Sequence, residues 1–321
     1  MLSIRNLSVK FKDRSGSIFH GQSYCAVRDI SVDIHANETF CLLGESGSGK
    51  TTLAWAILGL HRFHNGSIVF NGRVIKKSND AIHQMLRANS QMIFQTPAAS
   101  LNPSFSLGQS ISEPLRAKGV GKTECDAAVR ELAIQTGLSP ELLKRRPSEV
   151  SGGQNQRACI ARALSTRPAL LILDEPVTAL DAIAQHRVMD LLCRIKARFQ
   201  LTYFLITHDL ALAKKIGTHV AVMYLGTIVE KAPAHAFFSN PCHPYAQALL
   251  SSALKPGLWQ GKRILLQGEI PSLQAPPSGC VFHPRCPKKM AVCHTTPPRE
   301  SRIRKGHVVF CHRFDTHTGK G

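Results

Sequence analysis

The spacing of apolar and polar positions divides the chain into a few strongly patterned stretches. "ETFCLLGESGSGKTTLAWAILGL", residues 38–60, opens on an apolar run, crosses a glycine-rich turn and continues with apolar residues at helical spacing. That order predicts a strand, a loop and a helix. "PALLILDEPVTALDA", residues 168–182, is a continuous apolar run ending in two acids. A strand buried on both faces, inside a parallel sheet, has this pattern. "VAVMYLG", residues 220–226, also has the length of a buried strand. From Thr96 to about Thr166, "SLGQSISEPLRAKGV" and "ECDAAVRELAIQTGL" repeat apolar residues every three or four positions, which predicts helices. Strand patterning resumes at Arg167 and runs through "LTYFLITHD" and "HVAVMYLGTIVEKA". There is no internal repeat, no low-complexity segment and no apolar run near the ~18 residues of a membrane span.

Composition narrows this picture in two ways. The chain has 321 residues, 43% of them hydrophobic, enough for one large or two modest globular domains. Its formal charge is +19, from 40 basic and 21 acidic residues. Such a charge suits a polyanionic partner: nucleic acid, nucleotide phosphates or an anionic membrane face. The basic residues are dispersed, so charge alone does not choose among these. The N-terminal "MLSIRNLSVKFKDR" lacks the apolar core of a signal peptide, and a cytosolic setting is expected. In that setting structural disulfides are improbable, and Cys25, Cys41, Cys125, Cys159, Cys193 and Cys242 read as small buried apolar groups.

The candidate chemistry starts at the glycine-rich turn. Gly44, Gly49, Lys50 and Thr51 fill the pattern G-x-x-x-x-G-K-[ST], with Gly47 as an extra glycine. Glycines let the chain curl so that backbone N–H groups converge on a phosphate at a helix N-terminus. Lys50 would reach the β- and γ-phosphates, and the Thr51 hydroxyl would ligate Mg²⁺. The nucleotide-binding set is then Gly44, Glu45, Ser46, Gly47, Ser48, Gly49, Lys50, Thr51 and Thr52. At the end of the second apolar run, Asp174 would hold Mg²⁺ and Glu175 would orient or deprotonate an attacking water. Pro176 favours extended backbone at Glu175. Ser151, Gly152 and Gly153 form a turn opening an amphipathic helix, a second potential anion site or an ordinary cap with Ser151 as the capping residue.

The phosphate loop, "SGGQ", "ILDEP", "ALD" and "ITHD", in this order and spacing, resemble the nucleotide-binding subunit of an ATP-binding cassette (ABC) transporter. The resemblance covers essentially residues 1–250. It implies an α/β fold: a P-loop NTPase core of RecA type with an antiparallel β edge subdomain, a helical subdomain and a small cysteine-rich C-terminal extension. It divides the chain into residues 1–95 (core, first part), 96–166 (helical subdomain with the signature), 167–255 (core, second part) and 256–321 (extension). It further implies that Gln95 senses Mg²⁺ and the lytic water, and that Ser151, Gly152, Gly153 and Gln154 bind the γ-phosphate held by an opposite subunit. Asp181 would lie at the dimer seam and His208 on the γ-phosphate. Tyr24 is the expected adenine-stacking aromatic, with Phe11 and Phe19 competing. Departures are few: Val150 replaces a usual leucine, Val177 a small polar residue, and Asn37 a glycine. None removes a catalytic atom, so hydrolysis is expected.

"NPCHPY", residues 240–245, and "GEIPSLQAPPSGCVFHPRC", residues 268–286, resemble the oligopeptide, dipeptide and nickel branch of ABC importers. His243 reads as a packing or capping residue. Cys280, Cys286, Cys293 and Cys311 follow as C-x₅-C-x₆-C-x₁₇-C, in a segment whose prolines rule out long helices. Four thiolates suit Zn²⁺ or an iron–sulfur cluster equally by number. The spacing lacks the tight pairs of structural zinc, and with what the resemblance implies it favours a [4Fe–4S] cluster. Zinc, with His283 or His294 replacing a thiolate, and metal-free thiols are the alternatives. The function expected is the ATPase of an importer for peptides, nickel or a metal chelate, at the cytoplasmic face of the membrane. Its partners would be a second ATPase, two permeases and an extracytoplasmic solute-binding protein, with no direct nucleic acid. A soluble ABC ATPase acting on nucleic acid or ribosomes is the alternative. It would usually carry two cassettes or long coiled coils, which this chain lacks, and a non-hydrolysing regulator is disfavoured by Glu175 and His208.

Overall fold

The computed structural model describes residues 1–12, 23–76, 81–252 and 263–315. Phe19 and the expected boundary at residue 256 lie outside them. The chain divides into two compact units, Met1–His83 with Ile206–Gly321, and Gln84–Leu205.

The first unit begins with β1 (Leu2–Lys12), β2 (Ser23–Ile34), β3 (Thr39–Leu43), β4 (Asn65–Phe70) and β5 (Arg73–Ile75). Four of these strands form an antiparallel sheet in the order β2-β1-β4-β5. In β1, Leu2, Ile4, Leu7 and Val9 are buried. The step of three between Ile4 and Leu7 falls at a register shift against β2, where Asn6 is left-handed at φ 47° and restores the inward face. Asn37, the departure from glycine, is left-handed too at φ 61°. Asparagine tolerates that region best among residues with a Cβ, which explains why the substitution is accommodated. Helix α1 (Lys50–Ile57) follows β3, and α2 is Ala81–Ala88.

The second unit holds β6 (Ser90–Ile93), β7 (Leu170–Asp174) and most of β8 (Thr202–Ile206), adjacent in the order β8-β7-β6 with β6 and β7 parallel. Every residue of β7 and β8 is buried, as a strand covered on both faces requires. The intervening helices are α3 (Pro97–Ser100), α4 (Leu107–Ala117), α5 (Lys122–Thr136), α6 (Gly152–Leu164) and α7 (Ala182–Phe199). Ser106 opens α4 through a reciprocal box, donating its N–H to Gln109 Oε1 at 2.8 Å and accepting from Gln109 N–H at 3.2 Å. Helix α5 turns Cys125, Val129, Leu132 and Ala133 inward and stops at Gly137.

The first unit resumes with α8 (Leu210–Ile216), β9 (His219–Tyr224), β10 (Thr227–Pro233), α9 (Ala234–Ser239) and α10 (Pro244–Ser251). Its tail adds β11 (Glu300–Arg304) and β12 (His307–Phe310), joined by short 3-10 turns to what precedes. Within this unit the strands run β11-β12-β10-β9-β3, with β3 and β9 parallel and the others antiparallel. The tail, whose prolines rule out long helices, therefore contributes a hairpin to the sheet. No helix among the described residues is long and apolar enough to cross a membrane.

Candidate nucleotide site

The glycine-rich turn in the first unit is shaped by close approach. Gly44 sits at φ 150°, and a Cβ there would run into the Met223 carbonyl oxygen. Gly49 sits at φ 101°, where a Cβ would strike the Ala26 carbonyl oxygen. Both positions demand glycine on conformation and on space. Gly49 also opens α1 without a side-chain cap hydrogen bond, so the loop runs directly into a helix N-terminus, whose dipole favours an anion. Lys50 is buried, and its ammonium donates to the Gly44 and Glu45 carbonyls, each at 2.8 Å. Ser48 is buried beside it, Thr51 and Thr52 are half-buried, and Ser46 and Gly47 form the exposed crest. A curled backbone, an uncapped helix start and a centred cation fit a nucleotide phosphate chain.

Tyr24, on β2, lines a recess with Ser46, Gly47, Leu225 and residues 270–274. Phe11 stacks on Tyr24 at 5.7 Å and meets His61 edge-on at 5.0 Å. Of the two described candidates, Tyr24 is the one that shares a recess with the phosphate loop. His208 is exposed at the turn after β8. The turn is held by Asp209, whose carboxylate accepts from Ala211 and Leu212 N–H at 2.8 and 3.1 Å and so caps α8.

In the second unit β7 delivers Asp174 and then Glu175, both buried. Glu175 is left-handed at φ 48°, not extended as Pro176 favours. A non-glycine residue held there stores strain, which the surrounding structure must overcome. Gln95, just beyond β6, donates an amide N–H to Glu175 Oε2 at 3.1 Å. Two residues far apart in sequence therefore meet at the end of two parallel strands. Ser151 caps α6 reciprocally with Gln154 at 2.9 and 3.3 Å. Asp181 caps α7, accepting from Ala184 N–H at 2.8 Å. Ser151, Gly153, Gln154 and Asp181 line one recess with Arg157 and Arg187. Those two arginines escaped the sequence reading, although Arg157 lies four residues after Gly153, on the same helix face.

The cysteine-rich tail corrects an expectation. Cys280, Cys293 and Cys311 are buried and Cys286 is half-buried, all as free thiols. Burial pushes the Cys280 thiol up to about 11 and raises those of Cys286 and Cys311, favouring the protonated form. Among the described residues, the group of three or more His, Cys and acidic side chains whose ligand atoms all lie within 4.8 Å of one another is Glu230, Cys242 and His307, and the four tail cysteines form no such group. The iron–sulfur cluster and its zinc alternative are thus not supported. Cys311 instead packs with Cys242 and Val309 as a small apolar group. Glu230 is saturated as it stands: its carboxylate accepts from the Cys242 and His243 N–H groups and from His307 Nε2 at 2.7–3.1 Å.

Comparison with known proteins places these features in a family. Residues 27–178 match the ABC transporter family, and residues 229–293 match the C-terminal region of oligopeptide/dipeptide transporters. The chain is 40% identical over 98% of its length to the oligopeptide transport ATP-binding protein AppF of Bacillus subtilis, covering 97% of that protein. It is 40% identical, again over 98% of its length, to the oligopeptide transport ATP-binding protein OppF of Escherichia coli, covering 96% of it. A dimeric ATP-binding cassette, MJ0796, bound to ADP and Pi shares the fold with TM-score 0.65 and 24% identity, over 73% of this chain and 99% of that one. The nickel expectation is corrected by these relatives, whose names specify oligopeptide transport. With two-fifths of its residues in common along almost the whole length of such proteins, and with a cassette fold beneath them, the chain belongs to the ABC transporter ATPases, in their oligopeptide/dipeptide branch.

Proposed function

We propose that the protein hydrolyses ATP to drive a peptide importer, as the peripheral subunit on the cytoplasmic face of a membrane. The observation that carries this is the paired glutamine and glutamate at the strand ends, Gln95 Nε2 to Glu175 Oε2 at 3.1 Å, on a chain whose glycine-rich turn opens a helix. Lys50 and the loop N–H groups of residues 44–52 bind the phosphates. Tyr24 faces the base. Thr51 in the first unit, and Asp174 and Gln95 in the second, are the candidate Mg²⁺ ligands; the ion would neutralise developing phosphate charge. Glu175 orients the attacking water and accepts its proton, and Gln95 holds that carboxylate in place. His208 serves the γ-phosphate. Ser151, Gly152, Gly153, Gln154 and Asp181 act on nucleotide held by a second ATPase subunit. Two permeases and a solute-binding protein complete the assembly, and specificity for cargo lies with them.

The full-length relatives are transport proteins, which favours this reading over a soluble ATPase acting on nucleic acid. The test is Glu175→Gln in the protein purified with its partners. It should retain ATP binding and lose about 10²–10³-fold in hydrolysis. Undiminished turnover would remove Glu175 from the mechanism. Failure to recover a permease from native membranes would overturn the transport assignment.

A further inference from the structure

The tail of this chain reaches the phosphate loop directly. Phe282 is fully buried and meets Tyr224 at 5.2 Å, Tyr245 at 5.4 Å and His243 at 5.5 Å. This aromatic anchor fixes the turn that carries Arg285 three residues later. Arg285 is 9% exposed, and its guanidinium donates to both carboxylate oxygens of Glu45, at 2.8 and 3.3 Å. Glu45 is the second residue of the phosphate loop. Its backbone N–H donates to Tyr245 Oη at 2.9 Å. Its carbonyl receives the Lys50 ammonium at 2.8 Å. All three functional groups of one loop residue are therefore committed, and two of them are held from the C-terminal side of the unit. A second segment of the tail, residues 270–274, shares the recess of Tyr24, Ser46 and Gly47. Arg28 Nη2 tethers that segment through the Leu273 carbonyl at 3.4 Å.

We propose that the C-terminal extension is a working part of the nucleotide site: Arg285 is a positioning residue that sets the phosphate loop through Glu45, and residues 270–274 form the wall that faces the nucleoside. A planar fork on a carboxylate fixes orientation as well as distance, which a lysine in its place does not. With Glu45 fixed, its carbonyl is fixed, and the carbonyl orients Lys50. The extension thereby lowers the ordering cost of the loop before nucleotide arrives. This inference rests on the reading of the loop as an ATP site.

The experiment measures the affinity of the full-length chain for a fluorescent ADP analogue, well below each variant's unfolding midpoint. Wild type that binds no nucleotide would sink the ATP-site reading itself, so the two failures are distinguishable. Given binding, Arg285→Gln should weaken it about tenfold, and Arg285→Lys, which keeps the charge without the fork, should fall between. Glu45→Gln should weaken it to a similar extent, and the double variant should be no weaker than either single one. Arg302→Gln breaks an exposed pair with Glu300 elsewhere in the extension and should leave affinity unchanged. The proposal falls if Arg285→Gln binds within twofold of wild type, if the two single effects add, or if Arg302→Gln weakens binding equally.

Discussion

His243 is a residue whose ring burial decides its charge. It is almost wholly inaccessible, caps α10 by accepting the Tyr245 N–H at Nδ1 over 3.1 Å, and is pushed down to about 3 by desolvation. In the unfolded chain the same ring titrates near ~6.5. The unfolded state therefore takes up a proton on acidification while the folded state does not. The stability this group preserves is complete above the unfolded value and is lost progressively as pH falls toward the folded one. Between pH 7 and pH 5 the loss should be about 2 kcal/mol. His243→Asn keeps a capping acceptor without a titrating ring. Urea unfolding at the two pH values should show a shallower loss for the variant, and parallel profiles would refute the account. The capping role was legible in the sequence, because Pro244 and Pro241 mark a helix entry. The depth of burial was not, since Phe282, which covers the ring, lies far along the chain.

Helix starts separate structure from function at the scale of elements. Helices α4 and α6 open with the same reciprocal box, built by Ser106 with Gln109 and by Ser151 with Gln154. Ser106→Ala and Ser151→Ala should each cost about 1 kcal/mol in unfolding free energy. Only Ser151→Ala should also reduce ATP turnover in the assembled transporter, because Ser151 lines the recess with Asp181 and Arg157. Equal turnover in the two variants would leave Ser151 as a cap alone. The sequence pointed to Ser151 as a cap; the reciprocal glutamine, and the whole of the box at Ser106, came from the structure, although both follow the Ser-x-x-Gln spacing. Helix periodicity likewise announced α4 and α5, because one apolar face is a local property. It gave no warning of β12, whose His307, Val308 and Val309 are buried where it pairs with β10, or of β11, which has no buried residue and pairs with β12.

For the first unit as a whole, Glu230 is the pin. It lies on β10 with no exposed surface, and its carboxylate gathers the Cys242–His243 turn and His307 of β12. Three segments spread over 78 positions of the chain, Glu230 to His307, thus converge on one buried acid. Removing His307 takes one hydrogen-bond partner from a buried carboxylate and leaves a cavity, and His307→Ala should cost roughly 2 kcal/mol. Because β11 and β12 pack through this contact, limited proteolysis should cut the variant in the tail before the rest of the unit. Unchanged cleavage would show that the strand pairing alone holds the tail. Neither Glu230 nor His307 stood out in the sequence, since a buried carboxylate and its partners carry no spacing rule.

The sequence by itself determined the phosphate loop, the acid pair at the end of β7, the signature turn and the family. Each is a contiguous motif whose chemistry depends on neighbours along the backbone. Tertiary structure alone decided which distant groups meet. It placed Gln95 on Glu175, turned Glu175 into the left-handed region, and brought Arg285 and Tyr245 onto Glu45. It also took the tail cysteines, whose clustering in sequence suggested a shared metal, and left them as free thiols, three buried and Cys286 half-buried. The reason is physical: local spacing encodes backbone geometry, while long-range contacts are selected by burial and hydrogen-bond satisfaction across the whole fold.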